Sequence, residues 1–141
     1  EPNSEIAYNI INTVEKKLLN SYGLKSLAKG EPNYIEIYEG DSFKRDMSYH
    51  QGITWTWLLG LYFDSLRNMI QSEKRKTYRA ELENKLKDFI EKTTKTFEKE
   101  ISKRGCIGSI AEIYDSRKPY EPKGAIAQAW SVAEILRIVS F

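Results

Sequence analysis

Gly124-Ala125-Ile126-Ala127-Gln128-Ala129-Trp130-Ser131-Val132-Ala133-Glu134-Ile135-Leu136-Arg137-Ile138-Val139 carries apolar residues on nearly every face of a helix. Only a thin stripe of Gln128, Ser131, Glu134 and Arg137 is polar. A helix apolar all round must be enclosed by protein, whereas a helix with one apolar face borders water. Three earlier segments also show helical spacing. Residues 4–20 align Ile6, Ile10, Ile11, Val14, Leu18 and Leu19, with Asn3 or Ser4 able to cap the start and Gly23 just past the end. Residues 54–71 are richer in apolar groups: Trp55, Leu58, Leu59, Tyr62, Phe63, Leu66, Met69 and Ile70. Residues 76–103 place Tyr78, Leu82, Leu86, Phe89, Ile90, Phe97 and Ile101 on one stripe, and their Lys, Glu and Arg form a solvated face. Expected burial therefore alternates along the chain: one-faced, mostly apolar, one-faced, almost wholly apolar. That alternation suits the outer and inner layers of an α/α toroid, whereas a four-helix bundle would give four similar one-faced helices. The expected fold class is all-α.

The connections are uneven. Residues 72–75 join the second and third helices tightly, while residues 21–53 and 104–123 are long. Long irregular segments inside a compact domain are usually functional. With successive helices antiparallel, both long segments meet at one end of the bundle, where the two apolar helices begin. A site is expected there.

The first segment ends in Phe43-Lys44-Arg45-Asp46-Met47-Ser48-Tyr49-His50-Gln51-Gly52-Ile53-Thr54-Trp55-Thr56-Trp57. Tryptophans beside His, Gln, Arg and Asp suit a neutral polyhydroxylated ligand. Indole faces stack on the C–H faces of sugar rings, and the polar groups take the hydroxyls. The plainer reading makes Trp55 and Trp57 core anchors and His50 a satisfied loop histidine. In the second segment, Glu112 sits among small and apolar residues able to desolvate a carboxylate. The plainer reading there is a helix-capping or salt-bridged glutamate.

Composition closes off other classes. Across 141 residues, a formal charge of +2 with Lys mixed among Glu gives no nucleic-acid face. No apolar run approaches the roughly 20 residues a membrane span needs. One His and one Cys cannot build a typical zinc site, and Gly105 and Gly108 read as turn residues rather than a phosphate loop, so no metal and no cofactor is expected. Cys106 has no partner for an intramolecular disulfide and reads as a small buried thiol rather than a nucleophile, since His50 has no evident route to it. A lone cysteine favours a reducing, cytoplasmic setting. A chain that starts without Met, and without a signal-like apolar core, reads as an excerpt.

Tyr49-His50-Gln51-Gly52-Ile53-Thr54-Trp55-Thr56-Trp57-Leu58-Leu59-Gly60 resembles the YHQGTVWPWLLG motif of the C-terminal family of glycogen debranching enzymes, the amylo-α-1,6-glucosidase domain. Tyr22-Gly23-Leu24-Lys25-Ser26-Leu27 resembles that family's YGLRSL. Gly108-Ser109-Ile110-Ala111-Glu112-Ile113-Tyr114-Asp115, followed by Ala127-Gln128-Ala129-Trp130-Ser131-Val132-Ala133-Glu134, resembles GSISEIFD…AQAWSVAE. The motifs come in the family's order and span nearly the whole chain. Thr56 replaces a proline, Lys25 an arginine, and Glu1 stands where relatives often have Arg.

The resemblance implies an (α/α)6 toroid of the glucoamylase-like kind. Residues 1–141 would form one partial domain, the C-terminal third of a catalytic domain with about four of its twelve helices. It implies an inverting glucosidase that cuts α-1,6-linked glucose at branch stubs of glycogen or a similar α-glucan. One carboxylic acid protonates the leaving oxygen and a second carboxylate activates water. Glu112 falls on the family's base, and the acid falls on the upstream part of the same polypeptide. His50, Gln51 and Trp55 would line the glucose subsite, with Arg45 and Asp46 close by. Asp46, Asp115 and Glu121 are not expected across the sugar. Left without ring neighbours, the piece is expected to self-associate and to be inactive alone. Two other readings stay open: a glucoamylase-like α-1,4-glucosidase fragment, and a non-catalytic helical carbohydrate-binding module.

Overall fold

The computed structural model describes residues 4–141. Its elements run α1 (Ser4–Lys17), β1 (Leu19–Asn20), β2 (Gly23–Lys25), α2 (Ser42–Tyr49), β3 (Thr54–Trp55), α3 (Leu58–Ser72), α4 (Lys76–Lys103), β4 (Ile113–Tyr114), β5 (Pro122–Lys123) and α5 (Ala129–Val139). The chain is mostly helical, as expected, with a small sheet that the periodicity did not show. Among the described residues no helix is long and apolar enough to cross a membrane. The helix cap expected at Asn3 or Ser4, and the departure at Glu1, lie outside the residues and side chains described.

Helix α3 is the hub, packing against α1, α4 and α5, which also pack on one another in the case of α4 and α5. Leu59, Tyr62, Phe63 and Leu66 of α3 meet Leu82, Leu86, Phe89 and Phe97 of α4 and Ile135 and Ile138 of α5. Fully burying a side chain of this size contributes about 1.5–3 kcal/mol. The stripe expected on α4 is present, with Thr93 and Glu100 filling its gaps; Tyr78, at its start, is exposed.

Three helix boundaries differ from the expected ones, and one helix is added. The first helix stops at Lys17, because Leu19 and Asn20 pair as a strand with Leu24 and Gly23. Gly23 is thus a strand residue and not a helix terminator. The second helix begins at Leu58, since Thr54 and Trp55 belong to β3. The last begins at Ala129, where the Gln128 side chain accepts the first free N–H. Helix α2 lies inside the segment read as irregular, with Asp41 capping it by accepting from Lys44 N at 2.9 Å. Its apolar residues Phe43 and Met47 are 73% and 49% exposed, so it has no buried stripe to reveal it. Nor is α5 enclosed in this chain: Trp130, Leu136 and Val139 are exposed, and only Ser131, Ile135 and Ile138 are buried.

The sheet has five short antiparallel strands in strict chain order. It gathers both long connections at one end of the helices, where the site was expected. Gly23 is required by close approach: a Cβ there would lie 2.3 Å from the Trp55 carbonyl oxygen. Gly23→Ala is therefore expected to cost about 1–3 kcal/mol of stability. Urea denaturation of the two chains, compared at equal slope, measures the loss.

Candidate functional site

The pairing of β3 with β4 sets Trp55 opposite Ile113 and Thr54 opposite Tyr114. Hydroxyls lock this join. Asn20 Nδ2 donates to Thr54 Oγ1 at 2.7 Å, Thr54 Oγ1 shares a hydrogen bond with Ser116 Oγ at 2.6 Å, and Ser116 also reaches the Gly52 carbonyl at 2.5 Å. Thr56, in place of the motif's proline, is fully buried and donates through Oγ1 to the Tyr22 carbonyl at 2.8 Å. That hydroxyl ties β3 to the turn before β2, a bond proline could not make.

Glu112 precedes β4 directly and is half-buried. Tyr49 donates its phenol proton to Glu112 Oε1, and Ala125 N donates to Oε2 at 2.9 Å. The Glu112 N–H in turn donates to the Ala125 carbonyl at 2.9 Å. A phenol and a backbone amide thus hold this carboxylate, not the helix cap or cation of the plainer reading. Gly124 permits the arrangement: its φ is +69°, and a Cβ would stand 2.5 Å from Glu112 Oε2. Around the carboxylate lies an open cleft of about 450 Å³ lined by Tyr38, Arg45, Asp46, Tyr49, Glu112 and the Gly124–Ala125 backbone.

Of the residues singled out from sequence, Arg45, Asp46 and Glu112 therefore share one cleft. His50 and Trp55 stand beside it. The His50 ring lies parallel on the Trp55 indole, at 5.3 Å between centroids and 2° between planes, with its outer face exposed. Trp55 is 5% exposed, in a small cluster with Ile53 and Ile113, so it packs as a core anchor and does not offer a free indole face. Gln51 contributes its backbone, accepting from Ile35 N at 2.7 Å and donating to Ser48 O at 3.0 Å. Cys106 is only half-buried, where a small buried thiol was expected. A larger groove of about 830 Å³ between α1, α3 and α4, lined by Glu15, Lys85, Asp88 and Lys92 among others, holds none of the predicted residues.

Tyr38, Tyr49 and Trp130 are the site aromatics that sequence reasoning left without a role. Tyr38 packs 5.8 Å from Tyr49, and its N–H donates to Asp115 Oδ1 at 2.8 Å. Trp130 is 46% exposed and stands 5.9 Å from Trp57 and 6.2 Å from Trp55. Tyr49 lay within a quoted motif, but only its contact with Glu112 marks it out. Nothing in the spacing around Tyr38 does so.

Helices thus support a sheet-knit cleft with one clamped carboxylate and an aromatic flank. The family model for amylo-alpha-1,6-glucosidase matches residues 2–137, and the chain belongs to that family. The family is of the glycoside-hydrolase type, with glycogen-type carbohydrate as its substrate class.

Asp115 supports the cleft from behind through Tyr38, and Lys123 Nζ lies 3.7 Å from it. Burial pushes its carboxyl above the ordinary value of 3.8, against the opposing pull of the Tyr38 N–H and Lys123. A carboxyl with a raised folded pKa contributes stability that is complete below the unfolded value and lost as pH rises through the folded one. Asp115→Asn is expected to flatten that fall. Denaturation midpoints between about pH 3 and 6, measured for both chains, check the sign.

Proposed function

We propose that this chain carries the general base of an inverting α-1,6-glucosidase that removes glucose from branch stubs of glycogen-type glucans. Glu112 takes a proton from the attacking water as water adds to the anomeric carbon. The observation that carries this reading is the Glu112 carboxylate, held by two donors at the lip of a cleft, in a chain of this family. A carboxylate oriented in this way keeps lone pairs free for a water without spending reorganisation on each turnover. The sugar subsite is formed by His50, Gln51 and Trp55 with Arg45 and Asp46. His50 presents its open face, and the buried Trp55 backs it.

Inverting hydrolysis needs two carboxyl groups about 6.5–9.5 Å apart. The acid, in this reading, comes from an upstream part of the same polypeptide, within an (α/α)6 ring to which α1, α3, α4 and α5 belong. The exposed apolar residues Ile6 and Ile10 on α1 and Leu136 on α5 suit neighbouring helices of that ring, and they favour self-association of the piece alone.

In the full-length enzyme, Glu112→Gln is expected to lower turnover by about 10²–10⁴-fold with the thermal midpoint little changed. Glucose release from a branched limit dextrin measures this, and isomaltosyl against maltosyl substrates test the linkage. Near-normal turnover removes Glu112 from the mechanism. The purified 141-residue chain is expected to release no glucose. Turnover by that chain, lost in Asp46→Asn, would place the acid on α2 instead. His50→Ala is expected to raise KM without lowering the thermal midpoint, because the ring is exposed; an unchanged KM would take His50 out of the subsite.

A further inference from the structure

Tyr49 closes α2, and its ring is fixed on three sides. Trp55 and His50 meet it edge-on at 4.7 and 4.8 Å between centroids, and Tyr38 lies tilted against it at 5.8 Å. Its backbone is fixed as well, since Trp55 Nε1 donates to the Tyr49 carbonyl at 3.2 Å. A phenol held so firmly has little freedom left, and its hydroxyl ends on Glu112 Oε1. The opposite oxygen of the same carboxylate takes the Ala125 N–H.

We infer that Tyr49 is a positioning residue for the reaction: its phenol donates to Glu112 and holds that carboxylate aimed at the attacking water. The inference rests on the reading of Glu112 as the base. Two features of the geometry carry it. The contact joins the two long connections, from the end of α2 to the residue before β4, so it exists only in the assembled site. Both partners of the contact also line the cleft shared with Arg45 and Asp46. Burial and the neighbouring Glu112 carboxylate both push the Tyr49 phenol far above its ordinary value, so it stays protonated and remains a donor wherever the base is ionised.

The other charged and titratable groups around the cleft are Arg45 and Asp46 on α2 and Tyr38 before it, with Lys123 on β5 engaged by Asp115. Tyr49→Phe leaves all of them in place and removes one oxygen. In the full-length enzyme this variant is expected to lose about tenfold in kcat at neutral pH with KM nearly unchanged. Replacing Tyr49 with 3-fluorotyrosine, which keeps the hydroxyl at nearly the same size, is expected to restore most of the lost kcat. A tyrosine that only packs would leave kcat unchanged in the phenylalanine variant. The two readings fail separately. If Glu112→Gln is inactive while Tyr49→Phe keeps the parent kcat, the positioning role is wrong and the base assignment stands. If Glu112→Gln is active, both fall.

Discussion

The antiparallel pairing of Thr54–Trp55 with Ile113–Tyr114 is the join on which the site depends. Each strand is only two residues long, so the backbone hydrogen bonds alone would be marginal. Side-chain hydroxyls reinforce them: Thr54 and Ser116 bond to each other, Asn20 donates into the pair from β1, and Ser116 reaches back to Gly52. Break the join and the two irregular segments lose their common register. Glu112 then has no fixed relation to Tyr49, and the cleft between them has no second wall.

The sheet is held in turn by the C-terminal end of α4. Glu100 is 1% exposed, a position where an unpartnered carboxylate would be very costly. Its Oε1 accepts from Tyr114 OH at 3.1 Å, and Arg104 Nε stands 3.7 Å from Oε2. Arg104 also donates to Tyr22 OH at 2.6 Å, and Tyr22 stacks on Tyr114 at 4.6 Å. Residues of α4, β4 and the turn before β2 therefore form one connected polar and aromatic cluster. Through it the helix bundle sets the orientation of the sheet, and the sheet sets the orientation of the carboxylate.

The parts legible in the sequence are those where burial leaves a periodic trace. Leu82, Leu86, Phe89 and Phe97 recur at helical spacing because they all face α3, and that stripe marks α4. The meeting of the two long connections followed from loop lengths and helix direction alone. Two-residue strands cannot show a period, so β3 and the start of α3 merged into a single expected helix. Helix α2 left no trace because its apolar residues face outward. The apolar run Ala125-Ile126-Ala127 imitated a buried helix while lying exposed against the Ile110–Glu112 backbone. For the site, the motif resemblance singled out Glu112, Arg45 and Asp46, which do share a cleft. It also offered Trp55 as a stacking platform, and composition could not show that His50 covers one of its faces. Tyr49's contact joins residues 63 apart in sequence, and no spacing rule reaches that far.

The outward-facing construction of α2 has a further consequence, for motion. Between Ser42 and Tyr49 only Ser48 is buried, and the helix begins at a single exposed cap on Asp41. Unwinding its first turns would uncover almost no apolar surface, so the free energy for that opening lies well below that of unfolding the bundle. Glu112, by contrast, is attached to the sheet and through it to α4. The cleft thus has walls of unequal local stability: Arg45 and Asp46 sit on a helix with almost no buried side chain, and the carboxylate sits beside a sheet joined to the core. Tyr49 and its three ring neighbours mark the seam between the two regimes. Chain on the near side of that seam can loosen while the far side keeps its geometry.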